Sequence, residues 1–166
     1  MKLVGAVFIF LSCLMIGVSE ADRLKKRAIY LKNVQTVLNL LETEISFGKN
    51  HLKRIFENIE KSADCRGLFI ETAENIEKSG IKKSWNKALL DKKDELCLKN
   101  SDLEVLMTFG SQLGMTDTEN QIKNIRYIRE LLNKNAQEAE GVYNRLGRLY
   151  RSGGIMAGLL LILLLF

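Results

Sequence analysis

The charge of this chain is confined to its middle. Residues 3–18 (LVGAVFIFLSCLMIGV) and 152–166 (SGGIMAGLLLILLLF) carry none, and of 25 Lys and Arg and 20 Asp and Glu only Lys2 and Glu20 lie outside residues 22–151. A chain built this way must cover or embed both ends while its centre stays in water. Its 166 residues also contain no proline. Proline breaks helix interiors, and average usage is about 5%. Long uninterrupted helices are therefore expected, and a loop-rich or all-β chain is disfavoured.

Residues 3–18 allow two readings. Lys2, the apolar run and Ser19-Glu20-Ala21 have the layout of a secretory signal, with small residues before a possible cut, which would give a secreted helical protein. Against cleavage, Arg23, Lys25, Lys26 and Arg27 follow at once. Lys and Arg hold their flank on the cytoplasmic side of a membrane. An uncleaved anchor over residues 1–20 is the preferred reading. The tail, residues 152–166, is short: a helix from Gly153 to Phe166 covers roughly 21 Å of a ~30 Å hydrocarbon core. Leu159 to Phe166 is apolar on every helical face, which a polar domain has little means to wrap. Arg145, Arg148 and Arg151 stand just before it, able to snorkel to anionic headgroups, and Tyr150 adds an interfacial aromatic. Bilayer thinning absorbs the shortness. Both basic flanks face the middle of the chain. The expectation is a cytoplasmic helical domain, residues 21–151, with both termini on the opposite side. Neither span holds a charge, so they read as tethers, not as an ion pathway.

Helical periodicity organises the middle. Leu31, Val34, Leu38, Leu41 and Ile45 form a seam on a first helix, roughly 22–46, ended at Phe47-Gly48, with Gly48 free to turn left-handed. Further helices are expected at roughly 50–61 (Leu52, Ile55, Phe56, Ile59), 64–79 (Phe69, Ala73, Ile76, stopped by Gly80) and 83–96 (Trp85, Leu89, Leu90, Leu96). Ser101 to Glu104 reads as a capping box opening a fifth helix to about Gln112, ended near Gly114. Thr116 to Glu119 reads as another, opening the last helix. That helix runs unbroken to Arg151 with a three-four seam of Ile125, Ile128, Leu132, Asn135, Ala139, Val142, Leu146 and Leu149. Asn135 is its one polar member: it either fixes register or oligomer state, or sits at the surface. The fold class is all-α: a bundle of about six helices whose long first and last members continue into the two apolar ends.

Catalytic chemistry is poorly supplied. There is no P-loop, GxGxxG or GxSxG pattern. Gly110 to Gly114 (GSQLG) lacks a lysine and follows a helix, so it reads as a terminating turn. The single histidine, His51, has no evident partner and reads as a surface residue. Cys65 and Cys97 form no CxxC pair and, with Cys13, read as reduced thiols. Glu42 and Glu44 lie about 200° apart on a helix; salt links to a neighbouring helix or a partner suit them better than acid/base work. The basic balance does not call for nucleic acid, because the cations at 23, 25, 26, 27, 145, 148 and 151 flank the apolar ends, where anionic lipid accounts for them. No metal, cofactor or catalytic residue is expected, and the chain reads as a non-enzyme.

Three strings carry a resemblance: LLETEISFG (40–48), FGSQLGMTDTENQIKNI (109–125) and LYRSGGIMAGLLLILLL (149–165). With the order of apolar end, helical domain and apolar end, the chain resembles the stage III sporulation protein AB family of endospore-forming bacteria. That family is similar to the cytoplasmic helical domains of type II secretion platform proteins. The resemblance implies a membrane component of the channel complex between mother cell and forespore. Its domain would lie in mother-cell cytoplasm, coupled to a cytoplasmic secretion-type ATPase and to other membrane proteins of the channel. The partner contacts expected under that reading are helix-end and turn residues: Glu42, Glu44, Gly48, Gly110, Gly114, Asp117, Glu119 and Gln121. The Gly153-Gly154 pair is expected to hinge the last helix at the membrane. The alternative is a membrane-anchored structural module that self-associates through the last helix, Leu132 and Leu146 included, with no ATPase partner.

Overall fold

A computed structural model describes residues 2–47 and 52–165; Gly48 and His51 lie outside them. The described residues form six helices: α1 (Lys2–Phe47), α2 (Leu52–Ser62), α3 (Leu68–Ser79), α4 (Ile81–Lys92), α5 (Asn100–Gln112) and α6 (Thr118–Leu165). No strand occurs among them. They make two compact units, Ile29–Ala136 and a helix pair of residues 1–28 with 137–166.

In the Ile29–Ala136 unit, α2 packs on α3, α3 on α4 and α4 on α5. The expected seam of α1 (Leu31, Val34, Leu38, Leu41, Ile45) is buried, as are Ile125, Ile128 and Leu132 of α6. The centre is aromatic. Trp85 sits 5.2 Å, ring centre to ring centre, from both Phe69 and Phe109, and Phe56 meets Phe69 edge-on at 5.2 Å. Such edge-to-face pairs add about 0.5–1.5 kcal/mol each beyond their area. Trp85 Nε1 donates to the Leu106 carbonyl at 2.7 Å, which satisfies the one polar atom of the buried ring.

Several local expectations are corrected. The third helix begins at Leu68, not 64, because Arg66 (φ 55) and Gly67 (φ 73) cannot continue a right-handed helix. The Glu60 carboxylate accepts from the Cys65, Gly67 and Phe69 amides at 3.2, 2.7 and 3.1 Å, so it caps α3 from seven or more residues upstream. The fourth helix spans 81–92, not 83–96, and Leu90 is exposed. The fifth opens two residues early, at Asn100 behind Lys99. Asp102, not Glu104, reaches back to the Lys99 amide at 2.9 Å, and Lys99 has no acceptor to complete a box. The sixth opens at Thr118 behind Asp117, whose carboxylate accepts from Asn120 at 2.6 Å. Asn135 fixes register, but within the chain: its Nδ2 donates to the buried Asp102 carboxylate at 2.9 Å, tying α6 to α5.

Tyr30 and Cys65 are buried in the same unit. Burial pushes the Cys65 thiol up to about 12, aided by Glu60 and Asp64, and raises the Tyr30 phenol in the same way. Both are neutral when protonated, so their burial favours the fold below the ordinary thiol range. That contribution fades as pH climbs from the unfolded values toward the folded ones. The Tyr30 hydroxyl also has no hydrogen-bond partner. Tyr30→Phe is expected to leave stability at pH 7 equal or raised by about 1 kcal/mol. It should also flatten the decline above pH 10 in thermal melts followed by circular dichroism. A loss of about 2 kcal/mol or more at pH 7 would contradict this environment.

The helix pair is antiparallel, and its seam is made of small residues. A Cβ added at Gly17 would stand 2.4 Å from the Tyr150 carbonyl oxygen, and one at Gly154 would stand 2.8 Å from that of Cys13. At Gly158 it would meet Phe10 at 2.8 Å. Gly154 faces Cys13 and Gly17, and Gly158, four residues on, faces Phe10, in the small-residue spacing that lets membrane helices touch backbone to backbone. Outside the seam, Phe8, Leu11, Met15 and Ile16 of α1 and Ile155, Met156, Leu159, Leu160 and Leu163 of α6 are exposed. α6 is long and apolar enough to cross a membrane. The expected hinge at Gly153-Gly154 is corrected: α6 is continuous through both, with Gly154 held in the seam. Leu149, expected in the apolar seam, is exposed, and Gly147 is buried in its stead.

Candidate functional site

The α5–α6 turn carries the most exposed of the large apolar side chains among the described residues of the Ile29–Ala136 unit, Met115. Residues 114–120 (GMTDTEN) are all exposed, and Met115 is 76% exposed. Gly114 holds φ +73, and a Cβ there would lie 3.2 Å from Leu52 Cδ1, so the turn stands beside the start of α2. Lys53 meets Glu77 at 2.7 Å, which brings the end of α3 to the same edge. That hydrogen bond raises the Lys53 ammonium and lowers the Glu77 carboxyl from their ordinary values. Phe47, the last residue of α1, is 75% exposed. One end of the unit thus presents two large apolar side chains among charged ones.

Below the turn is a notch lined by Phe109, Gln112, Leu113, Gln121, Asn124 and Ile125. Its volume of about 10 Å³ suits a single water or the tip of one side chain. The Gln112 Oε1 is buried there with no hydrogen-bond partner, and a buried acceptor left unmade costs about 1–3 kcal/mol. Gln121 Nε2 is turned away to the Thr116 carbonyl at 2.6 Å, bracing the turn.

The expected contact residues do not all gather here. Gly114, Asp117, Glu119 and Gln121 do; Glu119 also holds Lys123 at 2.8 Å. Glu42 faces its own chain. Its carboxylate takes Arg126 at 2.7 Å and Arg129 at 2.9 Å, and Arg129 also binds Asn39. Glu44 is half-buried on α1. Gly110 is corrected outright: it lies inside α5, not in a turn, and is buried under Trp85, beyond the reach of a partner. Gly48 lies outside the described residues. Met115, Phe47 and Gln112 were missed by the sequence reading. Met115 lies inside the GSQLGMTDTEN string, but only the turn's geometry shows which of its residues face out.

Of the cations expected at headgroups, Arg27 is also corrected: its side chain is 4% exposed and sits 3.7 Å from Glu138. Arg23 pairs with Glu20 and Lys26 with Asp22. Lys25, Arg145, Arg148 and Arg151 are exposed. Among the described residues no group of three His, Cys, Asp or Glu could hold a metal ion.

Residues 2–166 match the family model described as Stage III sporulation protein AB. The chain belongs to that family. A relative called "Stage III sporulation protein AB", from Bacillus subtilis (strain 168), is 32% identical over 169 residues, covering 99% of this chain and 99% of the relative. A solved structure of Stage III sporulation protein AB (SpoIIIAB) superposes with a TM-score of 0.66 at 28% identity, over 72% of this chain and 97% of that one. Those names state a sporulation role and no reaction. Family membership and the length and apolarity of α6 together point to a sporulation protein associated with a membrane.

Proposed function

We propose that this chain is a non-enzymatic adaptor in the mother cell–forespore channel complex. The apolar ends anchor it in the mother-cell membrane. Its helical body lies in the cytoplasm, with both termini on the far side. There it links a cytoplasmic secretion-type ATPase to the membrane proteins of the channel.

The observation that supports this reading is the exposed edge at the α5–α6 turn. Met115 stands out beside Asp117 and Glu119, above a notch whose buried acceptor lacks a donor. A partner that covers Met115 and supplies a donor to Gln112 Oε1 relieves both liabilities together. The alternative, self-association through the last helix, is less well supplied: of its two seam residues Leu132 is fully buried within its own unit, and Leu146 is half-buried.

Capture of the purified ATPase by detergent-solubilised full chain tests the proposal. Met115→Glu with Asp117→Lys is expected to weaken capture at least about ten-fold, since a central apolar anchor typically contributes 2 kcal/mol or more. The helical spectrum should be unchanged. No capture by the unaltered chain, or equal capture by the variant, refutes docking at this edge.

A further inference from the structure

We infer that the arginine face of α6 (Arg145, Arg148, Arg151) is a binding surface for anionic phospholipid headgroups, and that the basic cluster on α1 is not. This rests on the membrane reading above and sharpens it.

The two clusters look alike in the sequence but differ in what their charges face. On α1, Arg23 meets Glu20 at 3.1 Å, Lys26 meets Asp22 at 3.0 Å, and Arg27 is buried against Glu138 at 3.7 Å. Four cations, Arg23, Lys25, Lys26 and Arg27, stand against three carboxylates, which leaves about one net charge. On α6, Arg145, Arg148 and Arg151 are all exposed, and none forms an ion pair among the described residues. Stepping by three, they cover about one third of the helix circumference. The small-residue seam fixes which side that is. Gly147 is buried and Gly154 touches Cys13 and Gly17, so the arginines run from Arg151, on the flank beside the contact, to Arg145, on the face turned away from it.

The setting suits a lipid surface in particular. Exposed Ile155 and Met156 begin the apolar surface within about one turn of Arg151, and exposed Leu149 and Tyr150 are interleaved with the arginines. Phosphate accepts the planar guanidinium fork in paired hydrogen bonds. Juxtamembrane cations of this kind draw anionic lipid within a Debye length of the surface. The α1 carboxylates oppose that attraction on their own side.

The test reconstitutes the full chain into phosphatidylcholine vesicles doped with spin-labelled phosphatidylglycerol or spin-labelled phosphatidylcholine. The readout is the fraction of each lipid immobilised at the protein. The unaltered chain is expected to prefer phosphatidylglycerol roughly three- to ten-fold, less at high salt. Arg145→Gln, Arg148→Gln and Arg151→Gln together should bring the preference close to parity, and the three lysine substitutions should retain most of it. Arg23→Gln with Lys26→Gln should leave it intact. The inference is overturned if the α1 variant removes the preference, if the α6 variant keeps it, or if the unaltered chain shows none. Complete release from both vesicle types by an alkaline wash overturns the membrane reading itself and is distinct from these outcomes.

Discussion

Replacing Gly110 by alanine is expected to lower the thermal midpoint of the Ile29–Ala136 unit by roughly 10–20 °C, the equivalent of about 3 kcal/mol. A local view gives the opposite sign: alanine in a helix interior is favoured over glycine by about 1 kcal/mol. The tertiary contact decides. A Cβ at this position would stand 2.0 Å from Trp85 Cδ1, 2.6 Å from Cγ and 2.8 Å from Nε1. The indole has no room to retreat, since it is fully buried, bonded to the Leu106 carbonyl, and ringed by Phe56, Phe69 and Phe109. Trp85 is the one tryptophan of the chain, so its emission reports the displacement directly. A variant as stable as the parent, with unchanged emission, would mean that the indole does not lie over this backbone.

Replacing Gly154 by leucine is expected to part the antiparallel helix pair. The side chain would be driven into the Cys13 carbonyl and the Gly17 backbone, at 2.8 and 3.3 Å from its first carbon. Overpacking of this kind costs about 2–3 kcal/mol, which shifts the ratio of paired to separated helices by roughly thirty-fold or more. Nitroxides at Phe8→Cys and Leu160→Cys, on a chain lacking its native cysteines, follow the pair in vesicles. Both positions are exposed and lie outside the seam. The parent should give one short, narrow distance, and Gly154→Leu a broad and longer one. Gly153→Leu serves as the control, because nothing lies within 4 Å of a Cβ there. Broadening by the control alone would place the contact on the wrong face.

What the sequence made legible is what repeats along a helix. The seam of α1 and the uncharged ends each recur every three or four residues or run unbroken, and the structure keeps them. What it left hidden depends on residues far apart in the chain. Glycine at 110 reads as a turn until Trp85, 25 positions away, is seen lying on it. Asn135 reads as a flaw in an apolar seam until Asp102 is found opposite. Arg27 reads as one of four alike cations, and only Glu138 from the other helix singles it out. The capping signal shifts by two residues at α5, where the Asp102 carboxylate reaches back to the Lys99 amide, and by one at α6, where aspartate at 117 stands next to threonine at 116 as a rival acceptor. The exposed edge at the α5–α6 turn is half visible in the sequence: Asp117, Glu119 and Gln121 follow from the helix start, whereas Met115 and Gln112 gain meaning from exposure and burial.

The account depends on the helical body lying on the cytoplasmic side of the membrane that holds the chain. Labelling of a single cysteine at Ser62, an exposed position of α2, by a membrane-impermeant maleimide reads this in intact sporulating cells. Ser62→Cys on a chain without its native cysteines should stay unlabelled until the membrane is permeabilised and then react fully. Labelling from outside intact cells would contradict the orientation and the ATPase coupling together.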